Sequence, residues 1–436
     1  MIDYNKDLMS FLDESPTAFH VIASIKKKLV VSGYSELAES EKWGLTEGGK
    51  YFVTRNDSSI IAFRVPRFNF TGFMIGSAHS DSPAFKVKEN PEIVENGYVK
   101  INVEGYGGML MAPWFDRPLS VAGRVIVKSG NRYEVKLVNV DRDLLIIPNV
   151  AIHMNRDANK NHPWNAQVDM LPILGSADET KGAFMRIVAE VAEVNEDEII
   201  SHDLFIYARD KGKVWGGSDE YISAPHLDDL QCVYGCLEGF LGANNSSSVP
   251  VLTVFDNEET GSLTKQGADS TFLEDVLKRI SLSCSKDEEG YYRAVSSSFM
   301  VSADNAHALH PNHPEKADPV NRPAINKGIV IKFNAAQHYT TDAVSCAVYR
   351  DLCESNDIPV QVFTNRSDSR GGSTLGNVSN AHVSLNTVDI GLAQLAMHSC
   401  YETAGAKDTK HLIDAMTIFY SKTFRVGAGG SFELLD

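Results

Sequence analysis

The sequence lacks the features that mark exported, membrane-spanning or nucleic-acid-binding proteins. Its six cysteines are dispersed and no two of them form a CxxC pair, so neither a disulfide framework nor a thiolate zinc site is predicted. No apolar run approaches the ~20 residues that span a bilayer, and the first residues lack the basic and then apolar pattern of a signal peptide. Acidic residues outnumber basic ones, 57 to 41, which argues against nucleic acid or an anionic membrane as a partner. These absences together predict a cytoplasmic protein.

What the sequence does contain is a set of short apolar segments that end in side chains able to bind a metal. The segments and the residues that follow them are 72–78 with His79, 251–255 with Glu258 and Glu259, and 299–303 with Asp304. Because ligands bind at the carboxyl ends of strands in open α/β sheets, we expect these side chains to face one cleft. Asp228, predicted in the first turn of a helix, and His398, near the end of the chain, are further candidates.

Imidazole and carboxylate ligands without cysteine suit one or two divalent metals of the zinc type. The candidate ligands are His79, Asp228, Glu259, Asp304 and His398. These five suffice for two metals only if one carboxylate bridges them, most naturally that of Asp228. Glu258 is then free to act as the general base for a water that the two metals acidify. Asp81 would accept a hydrogen bond from His79.

Each motif taken alone also has an ordinary structural explanation. His79 could be a buried histidine capped by Asp81, and the pair Asp228 and Asp229 could stabilise a helix start through the helix dipole. His153 precedes a polar segment and is typical of a surface histidine. The coincidence of several ligand-type residues at the ends of separate buried segments favours a metal centre.

The stretch 90–214 has a different pattern from the rest of the chain. Apolar and polar residues alternate at about period two, which is typical of half-exposed antiparallel strands. We therefore predict an α/β fold: a catalytic domain with a mixed sheet and helices on both faces, formed by 1–89 and 215–436, and interrupted by a β-rich inserted domain.

Several segments spread over nearly the whole chain match the motifs of a known family. They are 15–20, 79–83, 114–117, 147–148, 151–153, 227–228, 256–262, 304–308, 326–328 and 394–399. With these segments the chain resembles the aspartyl aminopeptidase family of dinuclear metalloaminopeptidases.

This resemblance implies roles for individual residues. The implied ligand sets are His79, Asp228 and Asp304 for one zinc ion and Asp228, Glu259 and His398 for the other, although manganese or cobalt would also suit them. Glu258 would be the general base and Asp81 the partner of His79. His153 would reach the active site of a neighbouring subunit and stabilise the oxyanion there.

The resemblance also implies an assembly. The inserted domain would mediate dimerisation, and dimers would form a tetrahedral dodecamer whose active sites face an internal chamber. Such a chamber would restrict substrates to short peptides.

The Gly-rich loop 371–377 departs from the family pattern. Members that cleave acidic first residues carry a Cys-Gly-Thr-Thr-Ile-Gly-Pro-like sequence, where this chain has Gly-Gly-Ser-Thr-Leu-Gly-Asn. Gly372 and Ser373 are our candidates to contact the substrate. Lys332 is the candidate to meet an acidic side chain, with an ordinary exposed lysine as the alternative.

The sequence thus predicts a zinc-dependent aminopeptidase that removes the first residue of short peptides, with acidic residues as the candidate preference. One alternative is a dinuclear metal deacylase or carboxypeptidase, because it needs similar ligands. Another is a catalytically idle scaffold that only self-assembles, although the presence of Glu258 and a full ligand set argues against it.

Overall fold

Among residues 3–160 and 162–436, which this computed structural model describes, the largest element is a mixed sheet of nine strands. The strands up to residue 79 are β1 (Ser35–Glu36), β2 (Lys50–Arg55), β3 (Ser59–Arg64) and β4 (Phe73–His79). The next are β5 (Ala84–Glu95), β6 (Tyr98–Tyr106), β7 (Leu119–Ser129), β8 (Arg132–Asn139), β9 (Ile173–Ser176) and β10 (Ile199–Ala208). The remaining strands are β11 (Lys213–Trp215), β12 (Tyr221–Ala224), β13 (Val249–Phe255), β14 (Phe299–Ala303), β15 (Ala306–His307), β16 (Ile329–Phe333), β17 (Val360–Thr364), β18 (Asn386–Gly391), β19 (Ala393–Leu395), β20 (Glu402–Gly405), β21 (Thr423–Val426) and β22 (Phe432–Leu435).

Helices precede, separate and follow these strands. They are α1 (Tyr4–Asp13), α2 (Ala18–Val31), α3 (Ala166–Asp169), α4 (Ala177–Thr180), α5 (Ala183–Ala192), α6 (Leu227–Gly242), α7 (Phe272–Ser283), α8 (Glu288–Ser296), α9 (Ala343–Glu354), α10 (Leu375–Ser379) and α11 (Asp408–Ser421). None of the helices in the described residues has both the length and the apolar character needed to cross a membrane.

The main sheet brings the ends of several parallel strands to one edge. Its order is β1-β2-β3-β13-β4-β14-β18-β16-β17, and β13, β4, β14 and β18 run parallel at its centre. The register pairs Phe255 with His79 and Ser302 with Ser77. The residues that follow β13 and β14 therefore meet His79 at the carboxyl edge, as the sequence predicted.

The main sheet separates two hydrophobic cores. Ile60 and Leu252 pack on one face with residues of α6 and α11, while Ile61 and Val251 pack on the other face with residues of α7. Strands covered on both faces are apolar at successive positions, which explains why the central segments read as unbroken apolar runs. The predicted α/β fold, with helices on both faces of a mixed sheet, is confirmed.

A second, antiparallel sheet has the order β8-β7-β10-β5-β6-β9 and its own core. It starts at Ala84 and ends at Ala208, whereas β11 pairs with β12 in a separate small sheet. The β-rich segment is thus shifted slightly from the stretch 90–214, and the division of the chain into domains stays a prediction.

The start of α6 differs from the sequence-based expectation. Asp228 (φ −85°, ψ 109°) and Asp229 (φ −116°, ψ 18°) have non-helical backbone angles, so the prediction that they lie in a regular first turn is wrong. Both side chains instead come close to His79 and Asp304.

Candidate active site

A cleft of about 480 Å³ opens at the carboxyl edge of the main sheet. Its lining includes His79, Asp228, Glu258, Glu259, Asp304, Lys332, Gly372, Ser373 and His398. The fold therefore brings all the predicted ligands, the predicted base and the predicted substrate contacts of this chain to one place. His153, in contrast, lies on an exposed turn and is not among the described residues that line the cleft.

The ligand-type side chains form two groups that share one aspartate. We call His79, Asp228 and Asp304 the first ligand group; donor atoms of these three and of Asp229 all lie within 4.8 Å of one another. Nε2 of His79 is 3.5 Å from Oδ1 of Asp228.

The second ligand group consists of Asp228, Glu259 and His398. Nε2 of His398 lies 3.5 Å from Oδ2 of Asp228 and 3.4 Å from Oε1 of Glu259. Asp228 thus turns one carboxylate oxygen towards each group, which is the geometry of a bridging ligand.

Buried oxygens in both groups lack hydrogen-bond donors within the described chain. Oδ1 of Asp228, Oδ1 of Asp229 and Oε1 of Glu259 are buried without a hydrogen-bond partner. A buried polar atom left in this state costs about 1–3 kcal/mol, and more when it is charged. Such orphaned carboxylate oxygens beside imidazoles fit divalent cations, because coordination would satisfy them.

Asp81 holds the predicted base, Glu258, and the predicted ligand Glu259 in place through its carboxylate. Oδ1 accepts a hydrogen bond from the backbone N–H of Glu258 (3.1 Å), and Oδ2 accepts one from that of Glu259 (3.2 Å). Nδ1 of His79 contacts the main-chain oxygen of Asp81 at 3.0 Å, closer than Oδ1 at 3.5 Å. The partner of His79 is therefore the carbonyl of Asp81, while the carboxylate positions the 3₁₀ turn Glu258–Thr260.

Glu402 is a buried residue of the site that the sequence analysis missed. It is 2% exposed, and its carboxylate accepts hydrogen bonds from the backbone N–H groups of Asp228 (2.9 Å) and His398 (2.7 Å). It therefore joins two segments that carry ligands. Its position four residues after His398 was the available sequence signal, and it is a weak one.

The electrostatics of the cleft suit proton transfer by Glu258. Burial raises the pKa of Glu258 to about 8, and the negative charges of Asp304 and Asp81 add to the effect, while His79 opposes it. Burial also disfavours ionised Asp228, but the adjacent imidazoles of His398 and His79 outweigh burial and lower its pKa. A carboxyl group with a pKa near neutral pH is well matched to general base catalysis.

Lys332 is not an ordinary exposed lysine, so that alternative is wrong. It is 2% exposed, and its Nζ donates to the main-chain oxygens of Asp304 (2.7 Å) and Asn305 (3.3 Å). Burial opposes its charge, but Asp304 and neighbouring groups raise its pKa above the ordinary value. The side chain is thus a buried cation in the lining of the cleft.

Gly372 and Ser373 are exposed at the rim of the cleft. Oγ of Ser373 donates to the side chain of Asn377, 3.0 Å away within the same loop. Thr374, which follows Ser373, is buried, and its hydroxyl donates a hydrogen bond to the carboxylate of Asp389. The short helix α10 begins at the next residue, Leu375.

Imidazoles and carboxylates that converge around a shared aspartate, with a further glutamate beside them, define a metal-dependent hydrolase of mixed α/β fold. The family model Peptidase M18, aminopeptidase I zinc metalloprotease, matches residues 11–420. A probable M18 family aminopeptidase 2 of Clostridium acetobutylicum is 48% identical over 428 residues, which cover 96% of this chain and 99% of that relative. The chain belongs to the M18 family of aminopeptidase I zinc metalloproteases.

Solved structures agree with this assignment. The cryo-EM structure of the Ape4 and Nbr1 complex contains a chain with a TM-score of 0.92 and 33% identity, covering 96% of this chain and 85% of that one. The S. cerevisiae mApe1 dodecamer matches with a TM-score of 0.84 and 27% identity, covering 96% of each chain. The predicted family and the predicted metalloaminopeptidase activity are confirmed: the protein is a hydrolase that acts on N-terminal residues.

Proposed function

We propose that this aminopeptidase holds two metal ions per subunit and removes the first residue of short peptides, with a preference for acidic residues. The observation that carries the proposal is the position of Asp228, which turns one oxygen towards each ligand group.

His79, Asp228 and Asp304 would hold one ion, and Asp228, Glu259 and His398 the other. Zinc suits these imidazole and carboxylate donors, as manganese and cobalt do. Bound there, the two ions would acidify a water molecule and polarise the peptide carbonyl.

Glu258 would take a proton from the attacking water and return it to the leaving nitrogen. Its backbone is fixed by Asp81. The raised pKa of its carboxyl, about 8, supports a group that gains and loses a proton in one cycle, although bound cations would lower that value. Such a base contributes about 10²–10⁴-fold to the rate.

Lys332 would meet an acidic side chain of the first residue. The ammonium is buried in the cleft lining, and the exposed residues Gly372 and Ser373 line the same cleft. A charge-assisted hydrogen bond in such a desolvated site is stronger than one in water. A second groove of about 450 Å³ borders the cleft, and His307 and Phe363 line both.

We also propose a homo-oligomer, a dodecamer built from dimers that are joined through the inserted domain, in which His153 enters the active site of a neighbouring subunit. The S. cerevisiae relative is described as a dodecamer. In this chain Ile152 is 50% and Met154 82% exposed on either side of His153. Apolar side chains on an exposed turn are expected at a surface that another subunit covers.

The test is the release of free amino acid from X-Ala dipeptides by the purified protein, with and without a chelator and added zinc. Chelator-sensitive release that is fastest for X equal to Asp or Glu supports the full proposal. Fastest release for apolar X would retain the mechanism and overturn the acidic preference. Peptides with an acetylated amine form the control, because a deacylase would cleave them and an aminopeptidase would not.

A further inference from the structure

The inserted sheet reaches into the metal centre through one turn. We call residues 106–110 the 106–110 turn; it consists of the last residue of β6 and the four residues that follow. Its contacts are made to His398, Asp81 and the neighbourhood of Glu259.

Two main-chain contacts from this turn fix His398. Its Nδ1 lies 2.5 Å from the carbonyl oxygen of Gly108, and its carbonyl oxygen accepts a hydrogen bond from the N–H of Leu110 (3.0 Å). Because a carbonyl can only accept, Nδ1 must carry the proton, which leaves Nε2 free for a metal. Nε2 is the atom that faces Asp228 and Glu259.

Tyr106 supports Glu259, another member of the second ligand group, through Asp81. Its hydroxyl donates to Oδ2 of Asp81 (2.7 Å), the oxygen that also accepts the backbone N–H of Glu259. The Tyr106 hydroxyl in turn accepts a hydrogen bond from Asn257 (2.7 Å), which precedes Glu258 in the chain. The ring thus ties the inserted sheet to the turn that presents Glu259.

Gly107 approaches Glu259 too closely for a larger residue. It has φ +72°, and a Cβ atom added there would lie 3.0 Å from Cβ and 3.4 Å from the main-chain oxygen of Glu259. Glu259 would have to move to admit a methyl group, and a small displacement of a ligand is enough to weaken a metal site.

We propose that the 106–110 turn is a positioning element for the second ligand group, so that the inserted domain controls how tightly the second metal ion is held. This inference rests on the proposed two-ion site. The atoms nearest to an added Cβ at Gly107 belong to Glu259 and Pro83, and the carbonyl oxygen of Gly108 contacts His398, so these contacts support the second group and not His79 or Asp304.

The consequence concerns assembly. If subunits meet through the inserted domain, any shift of β6 relative to the main sheet is felt at Glu259 and His398 before it is felt at His79. Occupancy of the second position would then depend on the state of the inserted domain.

The experiment compares glycine variants by titrating zinc into metal-free protein against a chromophoric chelator. Gly107→Ala should bind the first zinc as the unaltered protein does and the second at least ~10-fold more weakly, the usual effect of disturbing the partners of metal ligands. Gly97→Ala is the matched control: it has φ +82° at the other end of β6, with nothing within 4 Å of the added Cβ.

Tyr106→Phe provides a second, independent variant, because it removes only a hydroxyl. We expect a selective weakening of the second zinc and unchanged elution in size-exclusion chromatography, while the Tm of the metal-free protein falls slightly because two hydrogen bonds are lost. Unchanged second-zinc affinity in both Gly107→Ala and Tyr106→Phe would overturn the inference, as would equal weakening of both positions. If the unaltered protein itself binds fewer than two zinc ions, the proposed function fails instead, which is a distinct result.

Discussion

The two ligand groups lie in one cleft but are built in different ways. In the first, His79 and Asp304 sit at the ends of adjacent parallel strands, so the topology of the main sheet places them together. In the second, Glu259 lies on a 3₁₀ turn and His398 has φ +66° in the connection between two strands of a small sheet. The second group therefore depends on two supports: Glu402, which accepts hydrogen bonds from the backbone of Asp228 and His398, and the 106–110 turn, which lies far from His398 in the sequence.

One active site can thus combine two differently built halves. The half with the first ligand group is fixed by the main sheet, and the half with the second ligand group is held by hydrogen bonds to turns. Strand ends are held by the ladders of the sheet, whereas turns need polar partners to keep their conformation. Changes in the shared ligand should break both halves, and changes in the supporting residues should weaken the second half selectively.

Asp228→Asn should have the largest effect, because it removes charge from both halves at once. We expect zinc content to fall below two ions per subunit and peptide cleavage to fall to the background rate. Metal analysis of the purified protein and the dipeptide assay test this. Full zinc content with normal cleavage would contradict the bridging role.

Glu258→Gln should leave both halves intact and lower kcat by about 10²–10⁴-fold, the contribution of a general base. Zinc content, elution volume and KM should stay close to those of the unaltered protein. Unchanged kcat would exclude Glu258 as the base.

Glu402→Gln should distinguish the two halves. An amide keeps one acceptor oxygen, but its NH₂ group would face a backbone N–H of Asp228 or His398 in place of an oxygen. We expect the second zinc to bind about 10–100-fold more weakly than before, with a smaller change at the first. Glu238→Gln, at a surface ion pair with Lys28, is the control; equal losses in the two variants would contradict the role of Glu402.

Lys332→Met should alter substrate preference more than zinc binding. Loss of the ammonium should lower the ratio of cleavage rates for Asp-Ala over Leu-Ala by about tenfold, the effect of one hydrogen bond to a charged group. The ratio matters because Lys332 also contacts Asp304, so both rates can fall together. A constant ratio would exclude Lys332 as the acidic-residue contact.

The metal-free protein should show the smallest effect, a loss of stability as pH rises. Burial raises the pKa of Glu258 from 4.5 to about 8, so the folded state binds more protons than the unfolded state between these values. The contribution of Glu258 to the free energy of unfolding is therefore fully present below the pKa of its carboxyl in the unfolded chain. It is lost as pH rises through the pKa of the carboxyl in the folded protein. The Tm of metal-free protein should fall over this range, and added zinc should remove the trend by favouring the ionised carboxylates. A Tm that rises with pH in the metal-free protein would contradict the raised pKa.

The first half of the site was largely predictable from sequence, and much of the second half was not. An apolar run followed by an imidazole or carboxylate predicts a strand end, which is how His79 and Asp304 stood out. Glu402 accepts a hydrogen bond from the backbone of Asp228, and the carbonyl oxygen of Gly108 contacts the ring of His398; both contacts join residues far apart in the sequence, so they leave no local pattern. The burial of Lys332 could not be foreseen either, because its position in the sheet depends on which strands flank β16.

The helix start at Asp228 shows the same limit. Two acids before an apolar periodic segment fit a first helical turn and a favourable dipole interaction. In the structure the backbone departs from helical angles at both residues, and their side chains lie beside His79 and Asp304 in place of a regular first turn.

The exposed rim at Gly372 and Ser373 is a part of the cleft where the sequence can change without altering the two ligand groups. This loop supplies no ligand to either group, whereas Glu258 and Glu259 are adjacent residues bound by one carboxylate. A length change in the segment that carries the two glutamates would displace the proposed base and a proposed ligand together, while replacements at the rim need disturb neither. Substitutions at the rim can therefore change which peptides are cleaved while the residues proposed to carry out hydrolysis stay the same.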